Sequence, residues 1–400
     1  MLEKKVKFEF RGNIVMKVCY VLSTSEITGG ANRSLLDILS TIDRNKINPV
    51  VLIKKHGDIE KALRDLEIPY FYIPYINAIS THNRSLDFCK RILGKLSVKW
   101  TKRFLINKKI DLVHNNSLPT LAGMQAAKEL GIPYICHIRE DISGGLRLEL
   151  LNKEEHFKIV NSADQIVVIS KFIYEKYTSY ITNPNIMILY DGIKTENYLN
   201  REKQILENKI CKVAIYGNLD PQKGQLEAIE AIKILQEKGI NHIQLYIIGN
   251  MSSSYAQNIK KYVDENKIKN IYFKNPIKQI KDLYTSRANM DINLICSSSE
   301  GLGRITIESM LAGCLTIGAA AGATCEIITD KDNGLLYQCG NSQDLADKIE
   351  WSINHKNISK AIANRGRDFA LEKFAIENYN NQVLEIYESA LYHHKYNNYH

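Results

Sequence analysis

Short apolar strands and amphipathic helices alternate along this chain from Met16 onward, and the alternation stops once and then starts again. The first series runs KVCYVLST, SLLDILSTI, NPVVLIKK, DIEKALRDLEI and PYFYIP. It continues after residue 110 with DLVHNN, LAGMQAAKELG, PYICHIRE, KEEHFKIVNSA, DQIVVIS, FIYEKYTSY and NIMILYDG. Near-continuous apolar strands separated by helices are the pattern of a parallel sheet covered on both faces. The stretch KTENYLNREKQILENK (194–209) is polar and charged, lacks strand character, and reads as a linker. Alternation then resumes with CKVAIYGN, GQLEAIEAIKILQEKG, IQLYIIGN, AQNIKKYVDENK, NIYFKN, IKDLYTSRA, MDINLIC, CLTIGAA and NGLLY. The sequence therefore predicts an α/β protein of two Rossmann-like, doubly wound parallel-sheet domains facing across a cleft. They span 1–195 and 210–375, joined by a linker at 196–209. The C-terminal helices cross back, so that about 376–400 joins the first domain. A chain of 400 residues also exceeds the roughly 250–300 residues that one hydrophobic core supports.

No apolar run approaches the ~18 residues needed to span a bilayer, and MLEKKVKFEFRGN lacks the apolar core of a signal peptide. A cytoplasmic location is expected, and residues 1–15 are set aside as an extension or a misassigned start. The eight cysteines contain no C-x-x-C pair, and several sit in strand-like runs, so neither a disulfide framework nor a zinc site is expected. The net charge of +9 is concentrated in residues 84–109, which hold nine Lys or Arg against one Asp. At ~100° per residue, Leu86, Cys89, Leu93, Leu96, Trp100 and Phe104 share one face, with Arg91, Lys95, Lys99 and Lys102 opposite. Two arrangements fit. The segment lies on an anionic membrane surface, or its apolar stripe packs on its own domain and the lysines face water. No nucleic-acid motif accompanies the charge, so no nucleic-acid partner is expected.

In doubly wound sheets, ligands bind at the carboxyl ends of strands. The loop most marked for chemistry is SSSEGLGRITIESMLAG (297–313), which leads from a buried strand into a helix. Gly301 and Gly303 allow close approach of backbone to a ligand, and the free amides of a helix start suit phosphate. Glu300 stands in the loop, and Glu308 about two turns into the helix at ~3.6 residues per turn. The plain alternative is that Glu300 only favours the helix start and Glu308 is solvated. YGNLDPQKGQ (216–225) occupies the matching place after the first strand of the second domain, with Asn218 and Lys223 available. A lysine there could neutralise a diphosphate or be an ordinary surface lysine. SEITGGANRS (25–34) presents Gly29 and Gly30, either as an amide cradle or as a turn. The spacing is not G-x-G-x-x-G, and Lys54 and Lys55 stand where a nicotinamide dinucleotide site wants an acid. The phosphate-loop pattern of a nucleoside triphosphatase is also missing. His114, Asn116, His137, Arg139 and Glu140 end two strands of the first domain. They form either an acceptor-gripping cluster or separately satisfied core groups. Asp330 and Asp332 form Asp-x-Asp, but Asn333-Gly334 follows and marks a turn.

Taken together, these residues resemble the family 4 retaining glycosyltransferases, whose GT-B architecture pairs two facing Rossmann-like domains. The likeness covers nearly all of the chain after Met16. It rests on Gly29-Gly30, ISKF (169–172), ILYDGI (188–193), GNLDPQKG, and above all EGLGRITIESMLAG followed by TIGAAAGATCEII and DNGLLY. The resemblance implies a hexosyltransferase-type enzyme (EC 2.4), metal-independent and without a cofactor. It would move sugar from a UDP- or GDP-sugar donor to a glycan or lipid-linked acceptor. By it, Glu308 would meet the donor ribose, Glu300 the sugar hydroxyls, and Lys223 the diphosphate. Amides around Gly301, Leu302 and Gly303 would cover phosphate or sugar, and the loop of Asn275, Pro276 and Ile277 would meet the nucleobase. His114 and His137 would lie near the reacting sugar, and the HIRE string is similar to a branch serving bacterial envelope polysaccharides. The chain departs from the family at Asn218, where Arg is usual, with Arg304 as a substitute cation, and at Asp191, where Asn is usual. A sugar-nucleotide epimerase on the same plan, or a degenerate subunit of an envelope complex, are the alternatives.

Overall fold

The computed structural model describes residues 15–27, 30–198, 204–277 and 279–397. The chain forms two compact units, Met1–Gly192 with Ile376–His400, and Ile193–Ala375. The expected extension before Met16 falls almost wholly outside the described residues, as does Gly29.

The first unit is built on strands β1 (Met16–Val21), β2 (Ile47–Ile53), β3 (Tyr70–Tyr72), β4 (Leu112–Asn115), β5 (Tyr134–Ile138), β6 (Gln165–Val168) and β7 (Ile186–Ile188). They lie parallel in the order β3-β2-β1-β4-β5-β6-β7. The inner strands are rich in β-branched and aromatic residues and are largely buried, as helices covering both faces require, while the edge strands β3 and β7 are only partly covered. Helix Gly30–Thr41 buries Leu35, Ile38 and Leu39, with Ile42 following, at the i, i+3, i+4, i+7 spacing of one helix face. The terminal helix Ile376–Asn397 repeats this device with Ile376, Tyr379, Val383, Ile386, Tyr387 and Ala390, all in the core of the first unit. Tyr20 pairs with His114, and Asn115 with Cys136, so the carboxyl ends of β1, β4 and β5 share one edge.

The second unit has β8 (Cys211–Tyr216), β9 (Ile243–Ile248), β10 (Ile271–Lys274), β11 (Ile292–Ile295), β12 (Leu315–Ala319) and β13 (Leu335–Tyr337), parallel in the order β10-β9-β8-β11-β12-β13. In both sheets the order reverses beside the first strand, between β1 and β4 and between β8 and β11. The second half of the expected linker does not behave as one. Ile205 and Leu206 are buried in the core of this unit, and Leu206 N donates to Asp291 Oδ1 at 2.8 Å, because two adjacent apolar residues gain more from burial than from solvent. None of the eight cysteines is joined in a disulfide. Among the described residues no helix is long and apolar enough to cross a membrane.

Candidate functional site

The reversal point of the second sheet gathers the residues that the sequence marked. The loop after β8 and the loop after β11 meet there through Lys223 Nζ, 2.5 Å from Glu300 Oε1. Backbone packing holds the two loops together. Ser298 N donates to Gln222 O at 3.0 Å, and Gly224, at φ +68°, sits so close that a Cβ would lie 2.4 Å from Cys296 O. Only glycine fits both that conformation and that space. The far side of Glu300 is fixed likewise. Ala323 N donates to Glu300 O at 3.0 Å, and a Cβ on Gly322 (φ +56°) would lie 2.8 Å from Glu300 N. Glu300 is thus positioned through its main chain, leaving its carboxylate to Lys223. Asn218 is exposed in the first loop and accepts from Gln225 Nε2 at its carbonyl, 3.0 Å away.

Beyond Glu300, the helix Arg304–Leu311 starts at Gly303. Its first amides are orphans of helix geometry. The N–H groups of Leu302, Gly303 and Ile305 have no acceptor among the described residues. Leu302 itself is buried, anchoring the loop. Glu308 is fully buried, so it is not the solvated glutamate of the plain alternative. Its Oε1 accepts from Arg304 Nε at 2.8 Å, and its Oε2 lies 2.5 Å from Arg287 NH1, an ionic contact without hydrogen-bond geometry. The Arg287 guanidinium also lies 4.9 Å from the centre of the Tyr216 ring. Arg287 Nε and the Tyr198 hydroxyl are buried with no hydrogen-bond partner among the described residues. The cluster of Lys223, Arg287, Arg304, Glu300 and Glu308 carries one excess positive charge beside a helix N-terminus, a combination that attracts an anion. Arg304, the expected substitute for a cation at Asn218, faces Glu308 here. Pro276 and Ile277 follow β10 at the outer edge of the sheet, two strands from β8.

The first unit carries a different cluster. His114 Nδ1 lies 2.7 Å from Tyr387 OH, and His114 Nε2 lies 3.2 Å from His137 Nδ1. Arg139 donates to Asn116 Oδ1 (2.9 Å) and to Asp191 Oδ1 (2.6 Å), while Ser34 Oγ donates to Asp191 Oδ2 (2.6 Å). Arg139 NH2 also approaches His137 Nδ1 at 3.3 Å, and an arginine can only donate, so that nitrogen is the acceptor. His114 Nε2 then carries the proton toward His137. Asp191, in place of the family's usual Asn, supplies the carboxylate that neutralises buried Arg139. Glu140 stands apart, accepting from Ser117 Oγ (2.5 Å) and Leu118 N (3.2 Å). Gly30 opens the first helix onto free space, with nothing within 4 Å of a built Cβ. Asp330 and Asp332 form a turn, as read: Lys331 has φ +62°, Asp330 accepts from Leu336 N, and Asp332 pairs with Arg365.

Burial pushes His114 down to about 3 and His156 to about 4, and holds His137 well below its usual range, with Arg139 adding to the effect on both strand histidines. A histidine whose folded pKa lies below its unfolded value of ~6.5 binds fewer protons when folded. Its stabilisation is present above pH ~6.5 and is lost as pH falls toward the folded value. Each such histidine should contribute a slope of up to ~1.4 kcal/mol per pH unit in that window. Glu140, whose carboxyl burial raises, acts in the opposite direction. The comparison is therefore between variants. Urea unfolding of the full chain between pH 6.5 and 5 should show a shallower pH dependence for His156→Gln than for the parent, and equal slopes would contradict the buried neutral state.

Arg287, Tyr379 and Tyr387 escaped the sequence reading. Each lies in an ordinary helical pattern, and only tertiary packing brings Arg287 to Glu308, Tyr387 to His114, and the Tyr379 hydroxyl to Arg139, from which it accepts at 3.4 Å.

Known proteins match this chain over both units. The family model for glycosyl transferases group 1 matches residues 198–369, and that for glycosyltransferase family 4 matches residues 28–197. A capsular polysaccharide biosynthesis glycosyltransferase of Staphylococcus aureus is 23% identical over 62% of this chain and 69% of its own. A Campylobacter jejuni α-1,4-N-acetyl-D-galactosaminyltransferase, named for its undecaprenol-diphosphate-linked substrate, is 21% identical over 88% of this chain and 93% of its own. The crystal structure of Anabaena HepE in complex with UDP-glucose superposes with a TM-score of 0.76 at 21% identity, covering 94% of this chain and 100% of that one. The two family models between them account for both Rossmann-like units, and the chain belongs to the family 4 glycosyltransferases of GT-B fold.

Proposed function

We propose that this enzyme transfers a sugar from a UDP- or GDP-sugar to a hydroxyl of a glycan or lipid-linked acceptor, with retention of configuration, in the synthesis of a bacterial envelope polysaccharide. The observation that carries the donor half is the Lys223–Glu300 pair, which joins the two loops at the sheet's reversal point beside unpartnered helix amides. Lys223 and the amides of Leu302 and Gly303 stabilise the departing diphosphate, so charge is met where it develops. Glu300 orients the donor sugar through its hydroxyls. Glu308 meets the ribose once Arg304 turns from it toward the phosphates. The loop at Pro276 and Ile277 covers the base. The acceptor hydroxyl attacks the anomeric carbon on the face that the diphosphate leaves. The carbon–phosphate oxygen bond breaks, the new glycosidic bond forms, and the acceptor proton passes to the leaving phosphate oxygen. No metal is invoked in this scheme. His114 and His137, being buried and neutral, serve by holding the strand ends of the first unit rather than by exchanging protons with solvent. The envelope assignment draws on the relatives named for capsular and undecaprenol-linked substrates.

A thermal-shift panel of uridine, guanosine and adenosine sugar nucleotides tests the donor. The correct one, at 100 times its dissociation constant, should stabilise by about 2.7 kcal/mol. NMR of the product then reads the linkage, and an inverted anomeric centre would sink the retaining mechanism. Conversion of the donor without any acceptor would mark an epimerase instead.

A further inference from the structure

Helix Arg84–Lys108 does not turn its apolar stripe onto its own unit. Its residues buried toward its own unit are Ser97, Thr101 and Leu105, while the apolar stripe faces outward. Seven of the fifteen large apolar side chains exposed among the described residues lie on this one helix, including Phe88 at 62%, Leu86 at 54% and Trp100 at 44%. Soluble proteins scatter such residues, and a concentrated patch marks a contact surface. The same helix is strongly basic. Arg91, Lys95, Lys99 and Arg103 have no carboxylate partner among the described residues, and Asp87 is taken up by Ser80 and Thr81.

Beside the stripe lies a recess of about 570 Å³, lined by Lys54, Lys55, Lys90, Tyr75, Leu93 and Trp100. Leu93 and Trp100 belong to both features, so the recess opens onto the apolar stripe. Lys55 pairs with Glu26 at 2.9 Å, and Lys90 donates to Ile79 O at 2.7 Å. Lys54, half-buried at the end of β2, has no partner among the described residues. Burial first, and then the charge of Lys55, lowers its pKa. Three ammonium groups thus line one pocket with a single carboxylate at its rim, and the local charge is short of an anion.

We propose that this face docks on an anionic membrane, the recess taking the phosphate of a phospholipid headgroup while the stripe enters the acyl boundary. The occupant follows from the chemistry. A phosphate answers the unpaired lysine, and the hydrocarbon attached to it answers Leu93, Leu96 and Trp100, with the indole at the depth where amphipathic rings settle. Free phosphate would use the lysines and leave the stripe bare. The proposal goes beyond the transfer reaction and stands independently of the donor assignment.

The test uses the full chain with Trp351→Phe, which leaves Trp100 as the sole tryptophan of the two. Vesicles of phosphatidylglycerol should shift its emission to the blue and float the protein, and vesicles of phosphatidylcholine should do neither. Lys54→Gln should weaken partitioning about fivefold, and Lys95→Gln with Lys99→Gln by roughly 25-fold, at ~1 kcal/mol per cation near the surface. Lys54→Gln relieves like-charge crowding, so its melting temperature should hold. Leu96→Ser should also lose vesicle binding while keeping the donor-induced thermal shift, which separates this surface from the donor site. Equal binding to both vesicles, displacement by millimolar inorganic phosphate, or Trp100 emission indifferent to lipid would overturn the proposal.

Discussion

Replacing Glu308 with Gln is expected to destabilise the second unit by about 3 to 5 kcal/mol and to abolish sugar transfer. The carboxylate is wholly buried between Arg304 and Arg287, and the Arg287 side chain is only 2% exposed. An amide of the same shape keeps the packing but removes the counter-charge, so two guanidinium groups are left in low dielectric. Most of the loss is the cost of those stranded charges. Hence a triple change to apolar residues, Glu308→Leu with Arg287→Met and Arg304→Met, should recover much of the stability, since replacing a buried ionic group whole is often neutral or better. Activity should not return with it, because Arg304 and the carboxylate are proposed to serve the donor. Urea unfolding followed through the second unit's transition reads the first effect, and a transfer assay the second. Loss of activity at unchanged stability would mean that the ion pairs are weaker than their burial implies.

Replacing Lys223 with Met is expected to lower kcat/KM by about 10²- to 10³-fold, the usual effect of removing one preorganised charge or donor at a leaving group. Stability should change by no more than ~1 kcal/mol, because the Lys223–Glu300 pair is partly exposed, at 33% and 17%. Glu300→Gln should give a similarly large kinetic loss with the fold intact. The contrast with Glu308 is the informative part: two glutamates eight positions apart, one losing activity alone and the other losing fold and activity together. A degenerate binding subunit would behave differently, its complex keeping most of its activity in either Lys223→Met or Glu300→Gln.

Strand and helix order were legible because both sheets are parallel and buried on both faces, which writes apolar runs such as DQIVVIS and MDINLIC directly into the chain. That Lys223 and Glu300 lie in loops at strand ends was legible; that their two strands are neighbours at a reversal of order, which brings the side chains together, comes only from the sheet order. The Arg287–Glu308 contact was not. IKDLYTSRA reads as a plain helix, and its arginine reaches Glu308 only because one element follows β10 and the other follows β11. Nor could the wheel of residues 84–109 decide which face turns inward. Periodicity assumes that apolar residues seek the core, yet here, beside Leu105, the buried face is made by Ser97 and Thr101. Their hydroxyls donate to the carbonyls of Leu93 and Ser97, four residues back, at 2.8 Å each. Polar side chains satisfied by their own helix can be buried at little cost, and their small size lets helix Ala122–Leu130 pack closely. Whether His114 and His137 form a cluster or are separately satisfied was open in the sequence, because nothing local to β4 and β5 announces Tyr387, 273 positions from His114.

Hydrogen exchange of the full chain with and without UDP, GDP and UDP-glucose measures the central claim most directly. If the reversal point of the second sheet holds the donor, one of these should slow exchange at the amides of 301–306 and across 217–225, and Lys223→Met should weaken that protection. Protection confined to the first unit, or donor-induced protection that Lys223→Met leaves unchanged, would contradict it.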